Sequence, residues 1–89
     1  MTPLFSVVIP TFNRARTLRR ALESVLAQTF QGFEILVIDD GTDGSEDIVR
    51  GLDGPMHYLR GPARGVAAAR NLGIERSTGA YVALSLIHI

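Results

Sequence analysis

Three short segments of the sequence carry side chains that could contact a ligand. Asp39-Asp40-Gly41 follows an apolar run, Pro10-Thr11-Phe12-Asn13 follows a β-branched run, and the stretch from Gly65 to Arg70 combines a glycine with an arginine. Carboxylates accept hydrogen bonds from N–H and hydroxyl groups, an aromatic ring stacks on a planar base, and an arginine pairs with an anion. These residue types could therefore contact a base, a sugar hydroxyl and an anionic group.

The acidic pair Asp39-Asp40 is the sharpest of these features. Two carboxylates at the end of an apolar run are not expected to face an apolar core, because burying an unpaired charge is costly. Adjacent residues of an extended chain point to opposite sides, so we expect the two to have different roles. One would accept hydrogen bonds from backbone N–H groups and hold the loop, and the other would meet a donor of the ligand. In the alternative interpretation both are acceptors within an Asp-Gly turn.

Phe12, Gly65 and Arg70 each allow a ligand-binding and a structural interpretation. Phe12 could stack on a base, or it could pack on the first turn of the helix that follows it. Gly65, at a helix start, could expose backbone N–H groups to an anion or simply form a turn. Arg70 stands among alanines and could reach an anionic ligand or the acidic pair, or it could be a solvated surface residue.

These segments need a scaffold that brings them together, and the sequence predicts one. Leu18, Leu22 and Val25 recur at helical spacing, whereas residues 33–38 form a nearly continuous apolar run, typical of a strand covered on both faces. The predicted strands are residues 5–9, 33–38, 56–59 and 81–84, the predicted helices are residues 14–28, 46–52 and 66–75, and the predicted helix caps are Asn13 and either Asp43 or Ser45.

The order of these elements, β-α-β-α-β-α-β, predicts an α/β fold with a parallel sheet and right-handed crossovers. The three polar segments follow successive strands and lie about 25–30 residues apart, which is the spacing of βα units. In open α/β sheets, ligands bind beyond the carboxyl ends of the strands. The sequence therefore predicts that the three segments meet at one edge of the sheet.

Composition excludes several classes of protein. Hydrophobic residues make up 46% of the 89-residue chain and charged residues 20%, which indicates one small folded domain rather than a disordered tail. The chain lacks cysteine and lysine, so disulfides, thiolate chemistry, a P-loop lysine and a Schiff base are excluded. Nine basic residues balance nine acidic ones, which argues against nucleic acid as a partner. The most apolar stretch, residues 80–89, is shorter than the about 20 residues of a membrane span, so no membrane segment is expected.

Five stretches resemble, in the same order, the N-terminal nucleotide-binding half of the family 2 glycosyltransferases, which have the GT-A fold. They are SVVIPTFNR (6–14), LESVLAQTF (22–30), FEILVIDDGT (33–42), GVAAARNLG (65–73) and TGAYV (78–82). The resemblance covers residues 5 to 84, and it implies a three-layer α/β/α, Rossmann-like half-domain with a mainly parallel sheet.

The resemblance also implies a substrate and a role for each site residue. Family members bind a nucleotide-diphosphate sugar, expected here to be a UDP-sugar, and transfer the sugar to an acceptor hydroxyl. Asp40 would accept the base N–H, Asp39 would support the loop or the ribose, and Arg70 would approach the base or the phosphates. The base pocket would be lined by Pro10, Thr11, Phe12 and Asn13, with Gly65 nearby. Family members often have tyrosine at the position of Phe12, so the stacking face is kept and the hydroxyl is lost.

The end of the chain departs from the family. After the strand that begins at Tyr81 the family places an Asp-x-Asp-like motif, whose carboxylates hold Mg²⁺ or Mn²⁺ against the diphosphate. Leu86 and His88 stand near that position, and neither is a hard oxygen ligand. A divalent cation is therefore expected for the full-length enzyme, with its ligands absent from this chain. We expect residues 85–89 to be a truncated or non-native end.

The half that binds the acceptor glycan or lipid is also expected to be missing, so the fragment would be inactive alone. The resemblance implies a cytoplasmic location, with family members usually at the cytoplasmic face of the membrane. A noncatalytic nucleotide-binding module is the alternative from another class. A receiver-like phosphoacceptor is a poor third hypothesis, because its acidic pair should follow the first strand.

Overall fold

A computed structural model describes residues 5–13, 15–27, 32–42, 44–52 and 54–84. The elements are β1 (Phe5–Thr11), α1 (Ala15–Leu26), β2 (Phe33–Asp39), α2 (Ser45–Gly51), β3 (Met56–Arg60), α3 (Val66–Arg76) and β4 (Tyr81–Leu84). The four strands form one sheet in the order β3-β2-β1-β4, and each neighbouring pair is parallel. The predicted α/β class and the order of the elements are confirmed.

The helices cover both faces of the sheet and make three layers. Leu18 and Leu22 of α1 and Val49 of α2 pack with Ile35 and Val37 of β2 on one face. On the other face, Ala69 of α3 packs with the alternate strand residues Val8, Leu36 and Ile38. Because β2 is buried on both sides, its sequence is nearly continuously apolar, as expected for an inner strand of a parallel sheet.

Small residues on α3 let this helix approach the sheet closely. Gly73 is buried, and a Cβ atom placed there would lie 2.3 Å from Cγ1 of Val8. Any side chain at this position would push α3 away from β1. Across the described ranges, no helix is long and apolar enough to span a bilayer.

β1 is two residues longer than predicted, because Pro10 and Thr11 belong to the strand and not to a turn. The Thr11 carbonyl accepts the Asp40 N–H at 3.0 Å, so the backbone polar groups of Thr11 point toward β2. The backbone nitrogen of the preceding residue, Pro10, therefore points to the opposite side of β1. On that side the described part of β4 ends at Leu84, opposite Val8. A missing N–H at Pro10 therefore costs no described ladder bond, and β2 continues the pairing to Thr11↔Asp39.

The predicted helix caps are wrong. Asn13 lies two residues before α1, and its Oδ1 accepts the backbone N–H of Thr42 at 2.7 Å, so it joins two loops. Ser45 is the first residue of α2, whose cap position is held by Gly44 at φ 86° without a side-chain cap bond. The alternative cap, Asp43, lies outside the described residues. Other elements end one residue away from the predicted position. β2 extends to Asp39, β3 to Arg60 and α3 to Arg76, whereas α2 ends one residue earlier, at Gly51.

A buried carboxylate ties the amino-terminal half of the sheet together. Oε2 of Glu34, on β2, accepts hydrogen bonds from Oγ of Ser6 at 2.6 Å, from the Thr78 N–H at 2.8 Å and from Oγ1 of Thr78 at 3.0 Å. Nε2 of His57, on β3, lies 3.2 Å from Oε1. Burial alone would raise the pKa of Glu34, but the bonds from Ser6 and Thr78 outweigh it and hold this pKa below its ordinary value.

The ionised form of Glu34 should therefore stabilise the fold. Its contribution should be complete above the ordinary pKa of 4.5 and should be lost as the pH falls through the lower pKa of the folded state. We expect Glu34→Gln to cost about 1–2 kcal/mol at pH 7, because three charge-assisted hydrogen bonds become neutral ones. Thermal melts from pH 7 to pH 3 measure this, and the difference from the wild type should shrink in the most acidic buffers. Glu75→Gln, at an exposed α3 residue, is the control, and a pH-independent difference for Glu34→Gln would contradict the assignment.

Candidate functional site

The main cleft opens at the carboxyl ends of the strands. The chain runs outward from β1 to β2 and β3 and then returns over the opposite face to β4, so the strand order reverses at β1. Such reversals leave a crevice where open α/β sheets bind ligands. The cleft has a volume of about 370 Å³ and is lined by Pro10, Thr11, Phe12, Asp40, Ala63, Gly65 and Val66.

The acidic pair is divided between the two faces of the sheet. Asp39 continues the side-chain alternation of Ile35 and Val37, toward α1 and α2, and lines a separate 220 Å³ cleft with Tyr58 and Arg60. Asp40 lines the main cleft at the start of α3. The two carboxylates therefore have different surroundings, as their adjacent positions on an extended strand predict.

Asp39 is buried and engaged by donors from the protein itself. Its Oδ1 accepts the Gly41 N–H at 2.8 Å and its Oδ2 accepts the Tyr58 hydroxyl at 2.7 Å. Nη1 of Arg60 lies 3.6 Å from Oδ2 and donates to the Gly41 carbonyl. Burial, together with donation to Asp39, raises the pKa of Tyr58, so its phenol is neutral and remains a donor. These contacts hold the turn after β2.

Asp40 is only partly buried, and one of its oxygens is shared with the loop that precedes α3. Oδ1 accepts the Ala63 N–H at 2.8 Å, while Oδ2 accepts no hydrogen bond from within the described ranges. Ala63 adopts the left-handed conformation with φ 58°, which an L-residue holds at some cost. Gly61 approaches so closely that a Cβ atom there would lie 1.9 Å from Oδ1. The loop therefore wraps the carboxylate and leaves its second oxygen available to a ligand.

The end of β1 supplies an aromatic wall and a buried hydroxyl. Phe12 is 62% exposed and packs on neither core cluster of the described residues. Thr11 is 3% exposed, and its Oγ1 has no hydrogen-bond partner among the described residues. The exposed ring suits stacking on a planar group, and the unpaired hydroxyl suits a polar atom of a ligand.

The amino terminus of α3 forms the opposite wall. Its cap residue, Gly65, has φ 96°, a region that favours glycine, and makes no side-chain cap bond. The first turn of α3 contains no acidic residue, so the positive end of the helix dipole is not neutralised within the helix. Arg70 is half-buried further along α3 and is not among the residues that line the cleft.

Five of the eight predicted site residues meet in this cleft. They are Pro10, Thr11, Phe12, Asp40 and Gly65. Asp39 lines the other cleft, Asn13 contacts Thr42, and Arg70 is not among the residues that line the main cleft. The sequence prediction missed Ala63 and Val66, which line the cleft, and Tyr58 and Arg60, which anchor Asp39. Tyr58 and Arg60 could have been recognised only from their positions near Asp39 in the strand next to β2. That requires the register between β2 and β3, which the sequence alone does not give.

The described residues do not form a metal site. They contain no group of three or more histidine, aspartate or glutamate side chains placed to hold an ion. Leu86 and His88, predicted to stand at the position of an acidic motif, lie outside the described residues. A divalent cation does not fit the described part of the chain.

A parallel sheet with a cleft at its strand-order reversal is typical of nucleotide-binding α/β domains. The chain also matches the model of the family described as Glycosyl transferase family 2, over residues 6–85. It therefore belongs to this family, as its sequence motifs predicted.

Proteins with similar sequences include several that are named as glycosyltransferases. An uncharacterized glycosyltransferase of Rickettsia felis is 46% identical over 81 residues, which is 88% of this chain and 14% of that protein. Glycosyltransferase AglE of Haloferax volcanii is 38% identical over 88 residues, which is 91% of this chain and 29% of that protein. This chain spans between 12% and 30% of the length of such curated relatives.

A solved structure shares the fold. The mannosyltransferase PcManGT from Pyrobaculum calidifontis, in complex with GDP-Man and Mn²⁺, matches with a TM-score of 0.80 and 27% identity. The match covers 92% of this chain and 26% of that chain. The GT-A-like, Rossmann-like architecture expected from the sequence is thereby confirmed.

The two carboxylates should differ in their importance for stability. Asp39→Ala should cost about 2–4 kcal/mol, because it leaves the Tyr58 hydroxyl and the Gly41 N–H without their acceptor. Asp40→Ala should cost about 1 kcal/mol, because it removes one hydrogen bond at a partly exposed site. Urea denaturation of both variants checks this order. A larger loss for Asp40→Ala would reverse the assignment of Asp39 as the residue that holds the loop.

Proposed function

We propose that the cleft binds the nucleotide part of a nucleotide-diphosphate sugar, and that the sugar is transferred to an acceptor hydroxyl in the longer protein that contains this chain. One observation carries the proposal. The half-buried carboxylate of Asp40 and the exposed ring of Phe12 share a cleft at the start of α3. A base can there stack on a ring and donate to a carboxylate, while its phosphates approach a helix amino terminus.

The free oxygen of Asp40 favours bases that carry a ring N–H. Uracil at N3 and guanine at N1 present such a donor, whereas cytosine N3 and adenine N1 present a lone pair that a carboxylate repels. The resemblance of the motifs to the family favours uracil, and we propose a UDP-sugar as the donor. The GDP-Man bound by the mannosyltransferase neighbour also carries a base with a ring N–H, which supports the same recognition chemistry.

The site residues of this chain would bind and orient the donor. Thr11 and Pro10 would line the base pocket, and Gly65 would leave backbone N–H groups open toward the phosphates. Arg70, which does not line the cleft as described, is proposed to approach the base or the phosphates from α3. Asn13 and Asp39 would act indirectly, by holding the loops that carry Phe12 and Asp40. Of the described residues that line the cleft, only Asp40 carries a group that could accept a proton from an acceptor, and it is assigned to the base. We therefore assign no catalytic residue to this chain and propose that it is inactive alone.

The remaining components are proposed to lie outside the described residues. They are the ligands of a divalent cation, supported by the Mn²⁺ in the neighbouring structure, and the surface that binds a glycan or lipid acceptor. A cytoplasmic location at the membrane face is proposed on the resemblance to the family alone.

Asp40→Asn tests the base reader. An amide has one accepting oxygen, so either the Ala63 N–H or the base N–H then meets an N–H group. We expect UDP and GDP affinities to fall about 10- to 100-fold and CDP affinity to change little, so that the UDP/CDP preference collapses. Isothermal titration of UDP, GDP, CDP and ADP measures the four affinities.

Asp47→Asn is the matched control, because it makes the same chemical change at an exposed α2 residue outside the main cleft. Its four affinities should equal those of the wild type. A wild-type chain that binds none of the four nucleotides would contradict the proposed function. A folded Asp40→Asn variant with the wild-type preference would remove Asp40 from base recognition.

Phe12→Leu tests stacking. Leucine keeps apolar bulk but has no π-face, and base–aromatic stacking is worth about 1–3 kcal/mol. All four nucleotides should bind about 5- to 100-fold more weakly, with an unchanged melting temperature, because the ring is 62% exposed. Tyr81→Leu removes an equally exposed ring from the opposite end of β1 and β4 and should leave affinity unchanged. Lower stability with intact affinity in Phe12→Leu would identify the ring as a packing residue.

A further inference from the structure

Two β3 residues outside the main cleft hold the turn that carries Asp40. The Tyr58 hydroxyl donates to Asp39 Oδ2 at 2.7 Å, and the Arg60 guanidinium donates to the Gly41 carbonyl and lies 3.6 Å from the same Oδ2. The Asp39 carboxylate in turn accepts the Gly41 N–H. Both backbone polar groups of Gly41 are therefore hydrogen-bonded, the N–H to Asp39 and the carbonyl to Arg60.

The register of the sheet creates this network. Asp39 pairs with Arg60 across β2 and β3, and Tyr58 stands two residues earlier on the same face. The Gly61 N–H donates to the Asp39 carbonyl at 2.8 Å, which extends the pairing by one bond. Gly41 packs closely against the loop after β1 and leaves no room for a side chain, because a Cβ atom on it would lie 2.4 Å from Asn13 Oδ1. The turn is thus held from β3 and packs closely against the loop after β1.

We propose that Tyr58 and Arg60 are positioning residues for base recognition, acting through Asp39 and Gly41 to fix the direction of the Asp40 carboxylate. The inference rests on the proposed nucleotide-binding function. Asp40 lies between the two anchored residues, so a rotation of either peptide would swing its carboxylate away from the base edge. Recognition of one ring N–H needs placement within about 0.5 Å, which a loosened turn does not provide.

A purely structural role predicts a different outcome from a positioning role. General destabilisation lowers the folded fraction and reduces the apparent affinity for every nucleotide by the same factor, so the UDP/CDP affinity ratio stays constant. Loss of positioning lowers the affinity for UDP, whose binding needs the Asp40 carboxylate. It leaves the affinity for CDP unchanged, because CDP binding does not need that carboxylate. The ratio of the two dissociation constants therefore separates the two roles.

The test compares Tyr58→Phe and Arg60→Gln with the wild type by titration with UDP and CDP. Each variant should reduce the UDP/CDP preference at least fivefold, through weaker UDP binding. Tyr81→Phe removes a hydroxyl from an exposed tyrosine far from the cleft and should leave the preference unchanged. Arg60 has a side chain that is 55% exposed, so Arg60→Gln keeps the test available if Tyr58→Phe does not fold.

The outcomes distinguish this inference from the proposed function. A wild-type chain without UDP/CDP preference would contradict the proposed base recognition itself. If the wild type has the preference and Asp40→Asn abolishes it, wild-type ratios in folded Tyr58→Phe and Arg60→Gln would overturn the positioning role alone. Unfolding of both variants would also overturn it, because the two residues would then serve to hold the fold.

Discussion

The two-residue alternation of β2, enclosed between helices on both faces, is the constraint on which this structure depends. Every residue from Glu34 to Asp39 is buried, so a shift of the register by one position would exchange all of these side chains between the two helical layers. The same alternation sends Asp39 and Asp40 to opposite faces at the carboxyl end of the strand. One carboxylate is therefore enclosed by protein donors, and the other opens into the main cleft.

β2 also carries two buried carboxylates, one near its start and one at its end, that each contact neighbouring strands. Near the start, Glu34 joins Ser6 of β1, His57 of β3 and the loop before β4. At the end, Asp39 joins Tyr58 and Arg60 of β3. A buried carboxylate is tolerated when donors satisfy it, and these donors come from different strands. The polar groups thus fix how the strands are placed along one another, while the apolar residues fix which face they cover.

The sequence was sufficient to predict the order of strands and helices and most of the residues that line the cleft. These predictions rest on the periodicity of hydrophobic residues and on the residues at strand ends, which are both local patterns. Phe12 and Asp40 could be placed at one edge of a parallel sheet from these signals alone. The extension of β1 through Pro10 could not be predicted, since it depends on which side the missing N–H faces. Asn13 was misread as a cap because its partner, Thr42, is 29 residues away. Tyr58 and Arg60 depend on the β2–β3 register, which no local pattern encodes.

The loops at the carboxyl edge are joined to one another by side-chain to backbone bonds rather than by apolar packing. Asn13 binds the Thr42 N–H and Asp40 binds the Ala63 N–H, so three loops from distant parts of the chain share two bonds. Breaking either bond releases two loops at once. In terms of amide hydrogen exchange, the Thr42 and Ala63 amides would each report the opening of one of these two links. A ligand held between Asp40 and Phe12 would slow exchange of both amides, because it would join the same loops that these bonds join.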